Sequence, residues 1–312
     1  MLSKIPRNIL LKILETLDDT TLTRLAIDDK LIFFRDFILQ NVISKERVLL
    51  YLEKNHNNLE RKTNQWSDGP FSEYHYKLEY ITIPEGVKHL GSDIFYKCIL
   101  LKEVKLPNSI ISIGHLAFSY CTMLKYIELP ENLLWLGCNC FQNCSNLKSI
   151  TIPKNLRKIT RNTFDRCYSL EKVEFPKNLW KIEDSAFRDC LSLKGINLKN
   201  EIKSLEFAAF CGCRNIEKIH IPGIPSIDHH VFRECRNLKT INLQEGTRII
   251  REFAFDDCIN LESITFPTTL TRIAPNAFKG CGKLKEVRLQ KDVKISENSF
   301  PSHTKITIFI LF

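Results

Sequence analysis

The sequence has no stretch of about 18 consecutive apolar residues, which leaves no candidate for a membrane-crossing helix. Its 11 glycines form no Gly-rich phosphate loop, so a nucleotide-binding turn of that kind is excluded. Near the start of the chain, Arg7, Lys12, Glu15, Asp18 and Asp19 interrupt the apolar residues, and no secretory signal is expected. Twelve cysteines without such a signal point to a reducing compartment, cytoplasmic or nuclear, with the cell surface as the alternative. No serine, histidine and carboxylate are spaced as a nucleophile, its base and an orienting group. The expectation is therefore a protein that is not an enzyme, with no catalytic residue and no cofactor. Nor is there a stripe of basic and aromatic residues that would recommend a nucleic-acid groove, so no nucleic-acid partner is expected.

What the chain does have is a repeat. Phe-x-x-Cys-x-x-Leu-x-x-(Ile/Val)-x-(apolar)-Pro returns every 23 residues, twice shortened to 22. The Phe column runs from Phe95 through Phe118, Phe141, Phe164, Phe187, Phe210, Phe232, Phe255 and Phe278 to Phe300. The Cys column runs three residues behind it, from Cys98 to Cys281. A fixed period in this range is the signature of a solenoid.

One unit explains the spacing. In Leu101-Lys102-Glu103-Val104-Lys105-Leu106-Pro107, Val104 and Leu106 alternate with polar neighbours, so the segment reads as a strand with one face buried. Pro107 has no N–H for a ladder and ends it. Ile110, Ile113, Ala117 and Phe118 then return inward. A single coil cannot bury these groups, and stacking on the next coil does so. The Phe is the wedge between the two sides of the coil. The residue before it is small in most turns (Ala117, Ala186, Ala209, Ala254, Ala277), which calls for a tight bend.

The Cys column reads as a ladder of buried thiols. Equivalent positions in stacked strands lie about 4.8 Å apart with parallel Cβ vectors, whereas bridged Cβ atoms sit at about 3.8 Å. A disulfide or metal role is the other reading. Cys138, Cys140 and Cys144 lack the paired C-x-x-C spacing of structural zinc sites. Adjacent His229 and His230 point different ways on a strand, and with His220 they find no completing carboxylate motif. No metal is expected.

This repeat resembles the BspA-like, or Treponema-type, leucine-rich repeat, over about residues 71–312. The resemblance implies a curved solenoid with short parallel strands on its concave face, a protein-binding function and no catalysis. Counting strand positions from Leu78 to Ile306 gives about eleven coils. The closing run, Lys305 to Phe312, reads as a final strand.

The outward strand positions are then the natural binding face. Tyr80, Lys105, Tyr126, Glu128, Thr151, Lys172, Glu174, Asn197, Lys218, His220 and Asn242 are the candidate contacts for a protein partner. Tyr80 and Tyr126 are the candidate anchors, because aromatics dominate interface energies.

Residues 1–54 read as a small α-helical domain, 55–70 as a polar linker, and 71–312 as the solenoid. Ile5, Ile9, Ile13, Leu14 and Leu17 fall on one helical face. Ile5-Pro6, Ile9-Leu10, Ile13-Leu14, Leu17-Asp18, Leu22 and Leu25 resemble the F-box. That resemblance implies docking of a Skp-type adaptor through Ile5, Pro6, Ile9, Leu10, Ile13, Leu14 and Leu17, with the solenoid holding the target of a ubiquitin ligase. The simpler reading is a helical cap on the first coil, which terminal repeats require. The alternative for the whole chain is a BspA-like surface or secreted adhesin that binds host or matrix proteins. The formal net charge of +9 is carried by the repeats: residues 1–70 hold 11 basic and 10 acidic side chains.

Overall fold

The computed structural model describes residues 78–309, apart from 84, 199 and 200. The helical domain at 1–54, the linker at 55–70 and the docking residues from Ile5 to Leu17 lie outside the described residues. Those that are described contain no helix; they form a β-solenoid.

Most turns carry two strands, where the repeat suggested one. The first wall holds Tyr80–Thr82, Glu103–Lys105, Ser149–Thr151, Lys172–Glu174, Lys218–Ile221, Thr240–Leu243, Ser263–Thr265, Glu286–Gln290 and Lys305–Phe309. The second wall is built from two-residue strands such as His89–Leu90, Trp135–Leu136, Lys158–Ile159 and Lys294–Ile295. All pairings are parallel and join successive turns, one repeat apart as in Tyr80 with Glu103 and Lys158 with Lys181, except that the last first-wall pair, Glu286 with Lys305, closes a shorter turn. The repeat length thus sets the register, and inward residues stay inward along the stack. Strand pairing lapses at Tyr126–Glu128 and Gly195–Asn197, yet Ile127 and Ile196 remain buried and the alternation persists. Ten phenylalanines mark ten turns, one fewer than the strand positions counted in the sequence, because each bend lies between two of them.

The core is a set of ladders. Consecutive Phe rings stack at centroid distances between 4.9 Å (Phe278 on Phe300) and 5.7 Å (Phe210 on Phe232), nearly parallel through the middle of the stack. All are fully buried except Phe300, which has no turn beyond it among the described residues. The Cys column does more than fill space. The Cys121 thiol donates to the Phe95 carbonyl at 3.2 Å, Cys144 to Phe118 at 3.1 Å and Cys167 to Phe141 at 3.1 Å, and the pattern continues to Cys281 and Phe255. The same Phe carbonyl accepts the N–H of the Cys in its own turn, as Cys98 shows for Phe95 at 3.0 Å. Both lone pairs of a buried acceptor are used, one within the turn and one between turns. No cysteine is disulfide-bonded.

The bend at each Phe is as tight as its small neighbour requires. From Phe95 to Phe278 the residues two before and two after each Phe sit at positive φ, for example Asn139 at 60° and Asn143 at 59° around Phe141. Bulky residues hold this conformation too, as at Leu116 (56°) and Phe253 (58°). A third ladder enforces it: the Phe95 N–H reaches the Ala117 carbonyl at 2.8 Å, and Lys97 reaches Ser119 at 2.8 Å. Hydrogen bonds between turns outweigh a left-handed penalty of roughly 1 kcal/mol per residue.

One of the shortened repeats is absorbed at Pro222-Gly223-Ile224-Pro225, between the walls. A Cβ on Gly223 would overlap the Glu245 carbonyl oxygen of the next turn, so only glycine fits there.

Candidate binding surface

The alternation along each first-wall strand decides what it presents. Ile81, Val104, Ile150, Val173, Ile219 and Ile241 point inward, and their neighbours on either side point out. All eleven candidate contacts, from Tyr80 to Asn242, lie exposed on this one wall. Tyr80 and Tyr126 are 61 % and 62 % exposed, far more than most aromatics in a folded chain. The register places Thr151 beside Glu174, and His220 beside Asn242. Tyr126, Glu128 and Asn197 stand where strand pairing lapses, and they keep the same outward direction.

Charge on this wall is balanced and locally paired. The two outward columns set Glu103, Glu128, Glu174 and Glu286 against Lys105, Lys172, Lys218, Arg288 and Lys305. Lys172 meets Glu174 at 2.6 Å, Lys105 meets Glu103 at 3.6 Å, and Lys102 meets Glu79 at 2.7 Å. Lys172, by hydrogen bond, holds the Glu174 carboxyl below its ordinary value. Lys102 also lies 5.7 Å from the Tyr80 ring centre. Exposed pairs of this kind contribute little to stability. They leave a shallow, mixed surface of hydroxyls, amides and paired charge that a protein partner can match by exchanging pairs.

The bend holds an ion pair whose carboxylate is fully buried while its arginine reaches the surface. Asp165 accepts from Arg188 through Nε at 2.8 Å and Nη2 at 3.0 Å, and from the Gln142 amide at 2.9 Å. The two-pronged geometry and the third donor satisfy the carboxylate, so this is a structural cross-link between three turns.

Among the described residues, no group of three or more His, Cys, Asp or Glu side chains converges as a metal site. His230 is stacked on Phe253 at 5.1 Å and meets Phe207 edge-on at 5.3 Å. Cys144 is committed to the Phe118 carbonyl, and the Cys138 N–H bonds to His115. No described helix is long and apolar enough to cross a membrane.

The second side of the coil, expected to point Ile110 and Ile113 inward, is itself strand. Its sequence signal is a basic residue followed by isoleucine, as in Lys158-Ile159, Lys181-Ile182, Arg272-Ile273 and Lys294-Ile295.

The family model for the BspA type leucine rich repeat region matches residues 67–194 and 180–307, in six copies. A leucine rich cell surface protein from Faecalibacterium prausnitzii A2-165 has the same fold, with a TM-score of 0.53 and 24 % identity, covering 76 % of this chain and 73 % of its own. The pneumococcal vaccine antigen PcpA superposes with a TM-score of 0.53 and 26 % identity, over 74 % of this chain and 62 % of that one. No curated protein matches the chain.

Proposed function

Because this chain belongs to the BspA-type leucine-rich repeat family, we propose that it is a non-enzymatic, protein-binding scaffold of the cell-surface kind, holding its partner on the first wall. The observation that carries this reading is the set of eleven outward residues, all exposed, on one wall whose register the repeat fixes. Such a face suits recognition, since several of its charges are already paired and its two tyrosines are not buried. The relative from F. prausnitzii is described as a cell surface protein, and PcpA as a vaccine antigen. Both favour the surface reading over the ubiquitin-ligase adaptor. The adaptor reading, with its Skp-type partner and its cytoplasmic or nuclear address, rests on the spacing from Ile5 to Leu25, the interrupted apolar run and the cysteine count alone.

The test uses the full chain immobilised against host-cell and matrix proteins, with the affinity of each captured protein measured for wild type and for Tyr80→Ala/Tyr126→Ala. A central aromatic contact contributes about 1–2 kcal/mol, so the double variant is expected to bind at least tenfold more weakly. Its thermal unfolding should be unchanged, because both side chains are exposed. A partner held equally well by the double variant would place binding elsewhere on the molecule.

A further inference from the structure

The two walls differ in charge. On the second wall, the column that holds Leu134 and Trp180 also holds Lys88, Arg157, Lys203 and Arg248. The adjoining column, which holds Trp135, also holds Lys158, Lys181, Arg272 and Lys294. Neither column contains an acidic residue, whereas the outward columns of the first wall mix four acidic with five basic residues. Both tryptophans among the described residues stand on this wall, Trp135 38 % and Trp180 44 % exposed, with Leu134 59 % exposed beside them.

These side chains are held in place. His115 packs edge-on against Trp135 at 5.1 Å, and Lys181 lies 5.8 Å from the Trp180 ring centre. Leu134, Arg157, Trp180 and Lys203 occupy successive turns of one column. The Trp180 N–H bonds to the Arg157 carbonyl at 2.9 Å, and the Lys203 N–H to that of Trp180 at 2.8 Å. Pre-positioned aromatic and arginine side chains lose little entropy on binding, and they dominate interface energies.

We propose that the third to sixth turns of the second wall dock an acidic polypeptide segment, its carboxylates on Arg157 and Lys203 and its apolar side chains on Leu134, Trp135 and Trp180. The charge pattern selects this partner. Lys158 and Lys181 are already paired with Glu183 at 3.0 Å and Glu206 at 2.7 Å. Arg157 and Lys203 are exposed and have no carboxylate partner among the described residues. A nucleic acid or sulfated polysaccharide carries a charge at nearly every step, and would lie against Glu183, Asp184 and Glu206. An acidic peptide can place its charges at intervals and its apolar residues between them. The site is on the other wall from the proposed main binding face and does not depend on it.

The experiment titrates the full chain with a short fluorescent peptide alternating glutamate with phenylalanine and leucine. Its glutamine counterpart, a single-stranded oligonucleotide and heparin are run in parallel. The glutamate peptide is expected to bind, more weakly as salt is raised. Trp180→Ala and Arg157→Glu/Lys203→Glu should each weaken it at least tenfold, with the thermal transition and the response to Tyr126→Ala unchanged. Equal binding of the glutamine peptide would mean only apolar adhesion and would overturn the proposal. Tighter binding of oligonucleotide or heparin, lost in the same charge-reversed variant, would make this a polyanion site and also overturn it. So would the absence of peptide binding.

Discussion

Replacing Phe187 with alanine is expected to cost about 3–5 kcal/mol of unfolding free energy, the usual range for a fully buried phenylalanine. Its ring stacks on Phe164 at 5.2 Å and on Phe210 at 5.2 Å, and Phe175 meets it edge-on at 5.7 Å. The substitution opens a cavity and removes ring contacts on both sides, in a stack where each turn is stabilised only by its neighbours. Collapse to fill the gap is opposed by the strand pairing and by the thiol and bend hydrogen-bond ladders, which fix the distance between turns. The same change at Phe300, partly exposed and stacked on one side at 4.9 Å, should cost clearly less. Urea unfolding of the two variants, with hydrogen exchange to locate the weakened turns, reads the difference. A loss below about 1 kcal/mol at Phe187 would show that the Phe ladder is not what holds the turns together.

The second large effect is alkaline unfolding. Burial pushes the Cys98 thiol from 9.0 up to about 12. It also raises Cys121, Cys140, Cys144, Cys167, Cys190, Cys213, Cys235 and Cys258 above that ordinary value. Above pH 9 the unfolded chain releases these protons and the folded chain keeps them. Stability conferred by the raised values is therefore complete below pH 9 and is lost as pH rises towards the folded values. Each thiol contributes a slope of about 1.4 kcal/mol per pH unit, and the nine together about 12 kcal/mol per unit. A domain is typically stable by about 5–15 kcal/mol, so unfolding should set in between about pH 9 and 11. Circular dichroism against pH would show it, and Cys144→Ala/Cys167→Ala should flatten the dependence by two protons. A urea midpoint unchanged from pH 8 to 10 would refute the account of the thiols.

The same chemistry bears on where the protein works. A thiolate, not a thiol, reacts with oxidants, and burial suppresses it. Each thiol in the ladder beyond Cys98 is also occupied in donating to a Phe carbonyl. A ladder of reduced cysteines is thus compatible with an oxidising surroundings, and it does not argue for the reducing compartment that the cysteine count first suggested.

Much of the architecture was legible because the buried columns serve one purpose at every turn. Phe, Cys and Leu (Ile at 216) recur because each turn buries the same positions, and Tyr80 and Tyr126 follow from simple alternation. The second wall was hidden because strands such as Lys158–Ile159 offer one inward residue and no alternation to read. Its tryptophans, Trp135 and Trp180, went unnoticed with it. The left-handed residues flanking each Phe were hidden for another reason. Leu116 and Phe253 do not favour that conformation locally, and hydrogen bonds to the adjacent turn impose it. The thiol donors were likewise invisible, since a cysteine column reads equally well as small apolar filling.

The account stands or falls on the first wall. A photo-reactive benzophenone side chain introduced at Tyr126, and separately at Ile259, which is exposed away from the strand columns, would locate the partner directly. After incubation of the intact chain with surface and matrix proteins and irradiation, the account predicts a discrete cross-linked protein from position 126 and none from 259. Equal cross-linking from both positions, or from 259 alone, would contradict it.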